Sequence, residues 1–208
     1  MPRYGMVIDL KRCYGCYACV MACKVKNHTP PKVFWSRLLK GERGEYPNSM
    51  RQALPVLCMQ CEEPSCQEVC PTGATRTLEN GIVIVDKEKC MGCKYCMMAC
   101  PYGARYSVED WESYFPDGLP LSPYEEFAKK YWEDHSGVGV ATKCDFCRDR
   151  LQDGEDPACV KACPANARVI GDLDDPDSEI SILIKQNRAT PLNPELGNQP
   201  KVYYLAPR

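Results

Sequence analysis

Four closely spaced cysteines form the most distinctive stretch of this chain. They are Cys90, Cys93, Cys96 and Cys100, followed by Pro101, and they follow the pattern C-x₂-C-x₂-C-x₃-C-P. This is the spacing with which bacterial proteins bind a cubane [4Fe–4S] cluster through three thiolates of one loop. In two-cluster proteins the fourth cysteine of the run binds the other cluster. The run therefore predicts an iron–sulfur site that needs ligands from a second run.

Three further runs accompany it, so that the sixteen cysteines divide into four sets of four with none left over. The first run has the same spacing, the second has a four-residue middle gap, and the last has an eleven-residue gap at that place. These runs are Cys13, Cys16, Cys19 and Cys23; Cys58, Cys61, Cys66 and Cys70; and Cys144, Cys147, Cys159 and Cys163. Four complete sets of thiolates predict four [4Fe–4S] clusters, each bound through its iron atoms.

The exchange of fourth cysteines also predicts how the runs combine. The second and third runs flank one short apolar stretch, as the two halves of a ferredoxin do, so we expect them to pair. The first and last runs are then left for each other. The predicted ligand sets are Cys13, Cys16, Cys19 and Cys163; Cys144, Cys147, Cys159 and Cys23; Cys58, Cys61, Cys66 and Cys100; and Cys90, Cys93, Cys96 and Cys70.

Disulfides and zinc are the other common uses of so many cysteines. Disulfide scaffolds are typical of short secreted chains, whereas this chain has 208 residues and begins with neither an apolar signal segment nor paired arginines. Zinc sites usually combine two C-x₂-C pairs across a loop, whereas these runs are more compact. The two histidines, His28 and His135, also stand far from the runs. Both alternatives are disfavoured.

Composition narrows the class of protein further. The net charge of −2 gives no indication of nucleic-acid binding. The longest apolar runs, at 82–85 and 180–184, are far shorter than a membrane span. Eighteen prolines and fourteen glycines predict many loops, so clusters would replace part of a hydrophobic core by contributing binding energy to folding.

The expected fold is α+β and loop-rich, with two bacterial-type ferredoxin-like domains, one inserted in the other. The first domain would comprise residues 1–49 and 140–189, and the inserted domain residues 50–105. An aromatic-rich insertion would occupy residues 106–139, and an extended tail would occupy residues 190–208. The insertion would be either an ordered surface segment or a docking surface for a partner. Within these, the sequence predicts strands at 4–10 and 82–85, an extended 201–205, and helices near 20–27, 123–132 and 178–186.

No stretch of the sequence indicates a catalytic centre. It contains neither a Ser-His-Asp arrangement, nor a phosphate-binding glycine loop, nor a flavin or nicotinamide fingerprint. We therefore expect a carrier of electrons that does not itself transform a substrate. Lys94 and Arg105 are close enough in sequence to the third run to raise a cluster potential, or they are surface charges on a docking face.

Several short stretches carry a resemblance to a known family. They are MVIDL at 6–10, CPTGA at 70–74, CPYGA at 100–104 and GDLDDP at 171–176, together with the order of the four runs. The chain resembles the iron–sulfur (beta) subunit of molybdopterin oxidoreductases of the dimethyl sulfoxide reductase family. Within that family it is most similar to the electron-transfer subunits of polysulfide, thiosulfate, tetrathionate and arsenate reductases.

The resemblance implies a catalytic partner subunit with a molybdenum or tungsten pterin site, and in many cases a membrane subunit that oxidises quinol. It implies anaerobic respiration of a sulfur or arsenic oxyanion or of polysulfide. It also implies a position at the periplasmic face of the cytoplasmic membrane, reached by export with a partner that bears twin arginines; a cytoplasmic location is the alternative. A free-standing polyferredoxin, or a subunit of a hydrogenase or formate dehydrogenase, remains a rival interpretation.

Overall fold

The computed structural model describes residues 1–115 and 119–207. Residues 116–118, which include Pro116 of the predicted insertion, and residue 208 lie outside the described part. No helix in the described part is long and apolar enough to cross a membrane.

Short elements and long connections make up the chain, as its proline and glycine content predicts. The helices are α1 (Ala18–Asn27), α2 (Ser65–Glu68), α3 (Tyr95–Met98), α4 (Pro123–His135), α5 (Arg148–Gln152), α6 (Ala158–Lys161) and α7 (Glu179–Asn187). The strands are β1 (Tyr4–Asp9), β2 (Ser36–Arg43), β3 (Met50–Leu57), β4 (Thr75–Thr77), β5 (Val83–Val85), β6 (Tyr106–Ser107), β7 (Ala141–Thr142), β8 (Arg168–Asp172), β9 (Thr190–Pro191) and β10 (Val202–Leu205).

The largest sheet brings the two ends of the chain together. Its strand order is β8-β1-β10-β9, with β1 antiparallel to β8 and parallel to β10. Met6 lies opposite Ile170 on one side and opposite Val202 on the other. Residues 4–10 are mostly apolar because β1 lies between two other strands and is covered on both faces of the sheet.

A long hairpin, β2–β3, links the first run to the second. The sequence does not indicate it, because Gly41 and Gly44 interrupt the segment and glycine is unfavourable inside a strand. Gly41 instead lies within β2, at the solvent-exposed end of the hairpin, where a missing side chain removes no core contact. Only Ser36 and the last residues of β3 are buried. The two strands lie on either side of the boundary between residues 49 and 50, the point at which we expect the inserted domain to begin.

The insertion contains the predicted helix, which is one turn longer than expected and ends at His135. Ser122 caps it: the Ser122 hydroxyl accepts a hydrogen bond from the Glu125 backbone N–H, and the Glu125 carboxylate accepts one from the Ser122 backbone N–H. Such a capping box is a strong start signal. Trp132 on this helix is fully buried against Val33 and Val108. The insertion therefore packs on the rest of the chain, and β6 pairs with β7 at its base.

The main core extends across both halves of the chain. It unites residues of β1, β3, β5 and β10 with cysteines of the second and fourth runs, namely Met6, Ile8, Val56, Leu57, Met59, Cys61, Ile82, Ile84, Cys144, Phe146, Cys159, Val202 and Tyr204. The segments predicted as two ferredoxin-like domains thus share one continuous hydrophobic interior.

The C-terminal segment is an integral part of this interior. Lys201, which is buried, donates hydrogen bonds from Nζ to the Gly81 carbonyl oxygen (2.6 Å) and to the Glu62 carboxylate (3.1 Å). Glu62 also pairs with Arg3 at the N-terminus. The extended stretch predicted at 201–205 is therefore the strand β10, which joins both ends of the chain to the second run.

The role of the tail generates a stability prediction. Tyr204→Phe removes only the buried hydroxyl that donates to the Pro55 carbonyl oxygen (2.9 Å). We expect a loss of about 1 kcal/mol in the free energy of unfolding, or more because that carbonyl then lacks its donor. Tyr203→Phe, one residue earlier on the same strand, is the matched control and should change stability by less. Equal denaturation midpoints for the two variants would contradict this account of the tail.

Candidate metal centres

Each of the four cysteine loops contains a residue in the left-handed backbone conformation just before its second cysteine. These residues are Gly15 (φ 75°), Gln60 (φ 48°), Gly92 (φ 72°) and Phe146 (φ 59°). Glycine adopts this conformation without steric cost, which accounts for its use in the first and third runs. The shared conformation gives the four loops the same turn at the same place, although their later spacings differ.

In the second and fourth runs, side-chain contacts hold the strained position. Gln60 is fully buried; its Nε2 donates to the Cys144 carbonyl oxygen and its Oε1 accepts from the Val83 N–H, both at 2.8 Å. Phe146 is buried in the main core. Strain of this kind persists where surrounding contacts fix the residue. Gln60 also connects the second run to the fourth.

A second shared turn follows the fourth cysteine in the runs that carry proline there. The residue three positions later is left-handed and its N–H donates to the cysteine carbonyl oxygen. These bonds are Gly73 to Cys70 (3.3 Å), Gly103 to Cys100 (3.2 Å) and Asn166 to Cys163 (3.1 Å). The first run differs because Cys23 lies within α1. Lys24 replaces proline there, since the helix continues for another turn.

The structure brings the first run and the end of the last run together. Cys13, Cys16, Cys19 and Cys163 line one small cavity, with Ile8 and Leu38 among its apolar walls. Burial raises the pKa of the Cys13 thiol, and the neighbouring Cys19 and Cys163 raise it further.

A second cavity is lined by Cys23, Cys144, Cys147 and Cys159. All four of these thiols are buried. Burial is the main reason that the pKa of Cys147 rises to about 12, and Cys159 adds to the rise. Burial, together with Cys23 and the other thiols nearby, raises the pKa of Cys144 well above its usual range.

Charge interactions connect most of the remaining cysteines in two groups. Burial raises the pKa of Cys61 to about 12, and the further contributions come from Cys58, Cys66 and Cys100. For Cys96, burial raises the pKa, with further contributions from Cys90 and Cys70, which Arg105 opposes. Cys93 is exposed to solvent.

Several N–H groups point at the cysteine sulfurs. The backbone donors are Thr75 to Cys70 (3.4 Å), Ala141 to Cys90 (3.4 Å) and Ala167 to Cys163 (3.3 Å), and the side-chain donors are Asn27 to Cys23 (3.5 Å) and Arg105 to Cys66 (2.9 Å). Hydrogen bonds to sulfur are one of the features by which a protein sets the potential of an iron–sulfur cluster. The sites therefore offer a hydrogen-bonding environment as well as ligands.

The donor set fits [4Fe–4S] clusters. Four thiolates are the usual ligand set of such a cluster, one for each iron atom. Within residues 1–115 and 119–207, no three His, Cys, Asp or Glu side chains converge closely enough to hold a single metal ion. Thiols spread around a common space are what a multi-atom cluster requires of its ligands.

Comparison with known proteins agrees with this chemistry. A family model described as a 4Fe-4S dicluster domain matches residues 50–115 and 121–173. The B subunit of selenate reductase from Mesobacillus selenatarsenatis is 43% identical, with 98% of this chain and 72% of the relative covered. The iron–sulfur subunit of an arsenate respiratory reductase from Shewanella is 38% identical, with 98% and 96% covered. The iron–sulfur B subunit of a putative dimethyl sulfoxide reductase from Halobacterium salinarum is 42% identical, with 99% and 79% covered.

The chain belongs to the iron–sulfur B subunits of dimethyl sulfoxide reductase-family enzymes. The resemblance noted in the sequence is thereby confirmed, and so is the ferredoxin-like iron–sulfur character of the fold.

Two of the cysteine groups of this iron–sulfur subunit reach the surface. Cys16 and Cys93 are exposed, and exposed apolar side chains lie close to them in the sequence. Near Cys16 these are Tyr14, Tyr17 and Met21, and near Cys93 they are Met91, Tyr95 and Met98. Exposed apolar groups of this size are typical of contact surfaces.

The two charges singled out in the sequence occupy different environments. Lys94 is half exposed and pairs with Glu109 at 2.6 Å, which makes it a surface group. Arg105 is buried and donates to Cys66. Arg168 is also buried, and sequence reasoning missed it. The signal was present, because the pattern C-P-x₂-A-R occurs both at 100–105 and at 163–168.

The left-handed loop positions generate a second prediction. At Gly92 (φ 72°), an added Cβ would overlap the Gly139 carbonyl oxygen, whereas at Gly73 (φ 66°) nothing lies within 4 Å. Gly92→Ala should therefore distort its loop and lower the iron content of the purified protein. Gly73→Ala carries only the backbone strain of about 1–2 kcal/mol and should retain its iron. Equal iron retention in the two variants would show that the close approach at Gly92 has no consequence.

Proposed function

We propose that this chain is the non-catalytic electron-transfer subunit of a reductase complex and carries electrons through four [4Fe–4S] clusters. The observation that carries the proposal is the grouping of the cysteines. Two cavities are each lined by four thiols. Of the other thiols, charge interactions connect Cys61 with Cys58, Cys66 and Cys100, and Cys96 with Cys90 and Cys70. These groups agree with ligand sets in which the fourth cysteine of each run serves the partner run.

The proposed ligand sets are those expected from the runs. Cys13, Cys16 and Cys19 act with Cys163, and Cys144, Cys147 and Cys159 act with Cys23. Cys58, Cys61 and Cys66 act with Cys100, and Cys90, Cys93 and Cys96 act with Cys70. The first two sets would belong to residues 1–49 and 140–189, and the last two to an inserted unit of residues 50–105. The insertion 106–139 and the tail 190–208 pack on both.

The clusters, when bound, supply one-electron oxidation and reduction. The chain's own residues hold them in order and exclude water from the inner sites. Cys23, Cys144, Cys147 and Cys159 are all buried, whereas the sets with Cys16 and Cys93 reach the surface. We therefore propose that electrons enter and leave at these two exposed sets.

The nature of the partners is proposed from the relatives. Relatives of this chain are named as B or iron–sulfur subunits of selenate, arsenate and tetrathionate reductases. By analogy, the partner is a catalytic subunit with a molybdenum or tungsten pterin site, and a quinol-linked membrane subunit completes the path. The complex would act in anaerobic respiration of an oxyanion, at the periplasmic face of the cytoplasmic membrane.

A free-standing polyferredoxin is the rival interpretation. The exposed apolar side chains around Cys16 and Cys93 favour a subunit, because a lone carrier would leave them in contact with water. Purification of the native protein under mild conditions discriminates between the two. Recovery with a large subunit that contains molybdenum or tungsten would support the subunit interpretation. Recovery as a lone monomer would contradict it.

Metal analysis tests the number of clusters. Four cubane clusters predict about sixteen iron atoms and about sixteen acid-labile sulfides per chain, in protein prepared without oxygen. Substantial zinc with little iron would refute the cluster assignment. About eight irons would reduce the count to two clusters.

Exchange of the fourth cysteines is tested by substitution. Cys100→Ser should remove or alter the cluster of Cys58, Cys61 and Cys66, because Cys100 is its predicted fourth ligand. Its electron paramagnetic resonance spectrum should therefore lose the same signal as Cys58→Ser does. Cys93→Ser is the matched comparison, because Cys93 is in the same run as Cys100 but is a predicted ligand of the other cluster, that of Cys90, Cys93, Cys96 and Cys70. If Cys100→Ser and Cys93→Ser lose the same signal, the proposed exchange is wrong.

A further inference from the structure

Two buried arginines occupy equivalent places in the two halves of the chain. Arg105 follows Cys100 by five residues, and Arg168 follows Cys163 by five residues. In each case a left-handed residue, Gly103 or Asn166, closes the preceding turn. The same local structure therefore delivers a guanidinium group to the interior twice.

Arg105 lies between two of the proposed cluster sites. Its Nη2 donates to the Cys66 sulfur (2.9 Å) and its Nη1 donates to the Thr75 hydroxyl (3.1 Å). Thr75 in turn donates its backbone N–H to the Cys70 sulfur (3.4 Å), which belongs to the other set of that half, together with Cys96.

Arg168 repeats the arrangement with the other two runs. Its Nη2 donates to the Ser36 hydroxyl (3.2 Å), as Arg105 donates to Thr75. Arg168 lines the cavity of Cys13, Cys16, Cys19 and Cys163, and Ser36 lines the cavity of Cys23, Cys144, Cys147 and Cys159. Arg168 and its hydroxyl partner therefore lie between members of different sets. Arginine is not deprotonated in proteins, so both guanidinium groups are charged at neutral pH.

An unpaired guanidinium would be costly in such an interior, because burial of a charge requires a compensating partner. Among the described residues, no carboxylate forms a salt bridge with Arg105 or Arg168. Arg105 donates to the Cys66 sulfur, whereas Arg168 Nη1 is buried without a hydrogen-bond partner among the described residues. The thiolates of bound clusters on either side of each arginine would supply the compensating negative charge.

We propose that Arg105 and Arg168 are intercluster charges, each of which raises the reduction potentials of the two clusters on either side of it together. The inference rests on the proposed function, since it needs clusters at these cysteines. A cluster gains negative charge when it is reduced, and a fixed positive charge nearby stabilises that state. In a poorly polar interior the effect is stronger than at the surface. An arginine between two clusters shifts both potentials in the same direction, so it raises them without widening the difference between them.

The test is a redox titration of the complete protein followed by electron paramagnetic resonance. Arg105→Gln should lower two of the four potentials, those of the clusters held by Cys66 and Cys96, and leave the other two unchanged. Arg168→Gln should lower the complementary two. We expect at least a tenfold change in the ratio of reduced to oxidised cluster at fixed potential, which is about 59 mV for a one-electron couple.

Two control variants separate charge from other effects. Lys94→Gln removes a positive charge next to Cys93 in the sequence, but this lysine is half exposed and paired, so its loss should shift the potentials much less. Arg105→Lys keeps the charge and should leave the potentials near those of the unaltered protein. If Arg105→Gln fails to bind its clusters, loading of Arg105→Lys with unshifted potentials still supports the role of the charge.

The outcomes that overturn the inference are distinct from failure of the proposed function. A shift of one potential alone in Arg105→Gln would reduce Arg105 to a hydrogen-bond donor for Cys66. Unmoved potentials, or an Arg105→Lys variant that behaves like Arg105→Gln, would exclude an intercluster charge. In all these cases the iron content would still be that of four clusters. Low iron in the unaltered protein would instead contradict the cluster assignment itself.

Discussion

The constraint on which this structure depends is the gathering of sixteen thiols on loops that a hydrophobic core of modest size holds in place. Cysteines provide part of the main hydrophobic cluster, and many of them have a raised pKa because burial disfavours the thiolate. Without a metal, that interior would hold groups that resist deprotonation. Binding of iron reverses this preference, since coordination stabilises the thiolate and converts metal affinity into folding free energy. The short helices and strands are consequently supports for loops.

The shared interior follows from the same constraint. When the fourth cysteine of one run serves another run, each site joins segments that are distant in sequence. The sheet reinforces these connections: β1 lies between β8 and β10, and Lys201 connects the tail to Glu62 beside the second run. Gln60 links the second and fourth loops in the same way. The segments predicted as two ferredoxin-like domains are thus joined by these contacts through one continuous core.

Much of the fold and of the candidate sites could be predicted from the sequence, because the spacing of the cysteines depends on the geometry that the ligands of a cluster require. The runs, their pairing as a hypothesis, β1, the buried strand at 83–85, and the helices α1, α4 and α7 all follow from local patterns. The hairpin β2–β3 did not, because its outer half is exposed and has no alternation to recognise. The place of β10 in the central sheet was also hidden. Parallel pairing with β1 is a long-range contact that leaves no mark in either segment.

Distance along the sequence explains why Lys94, and not Arg168, could be predicted to act on a cluster. Lys94 is next to Cys93 in the sequence, but its side chain is half exposed and paired with Glu109. Water and the ion pair weaken the field of its charge. Arg168 is far in sequence from Cys13, Cys16 and Cys19, and only the fold brings it to the cavity that they line. On the proposed ligand assignment, cluster-bound sulfur on both sides would compensate the charge of an arginine in that place. The same argument applies to Arg105, which donates to Cys66, so the repeated turn after the fourth cysteine would position a charge as well as a ligand.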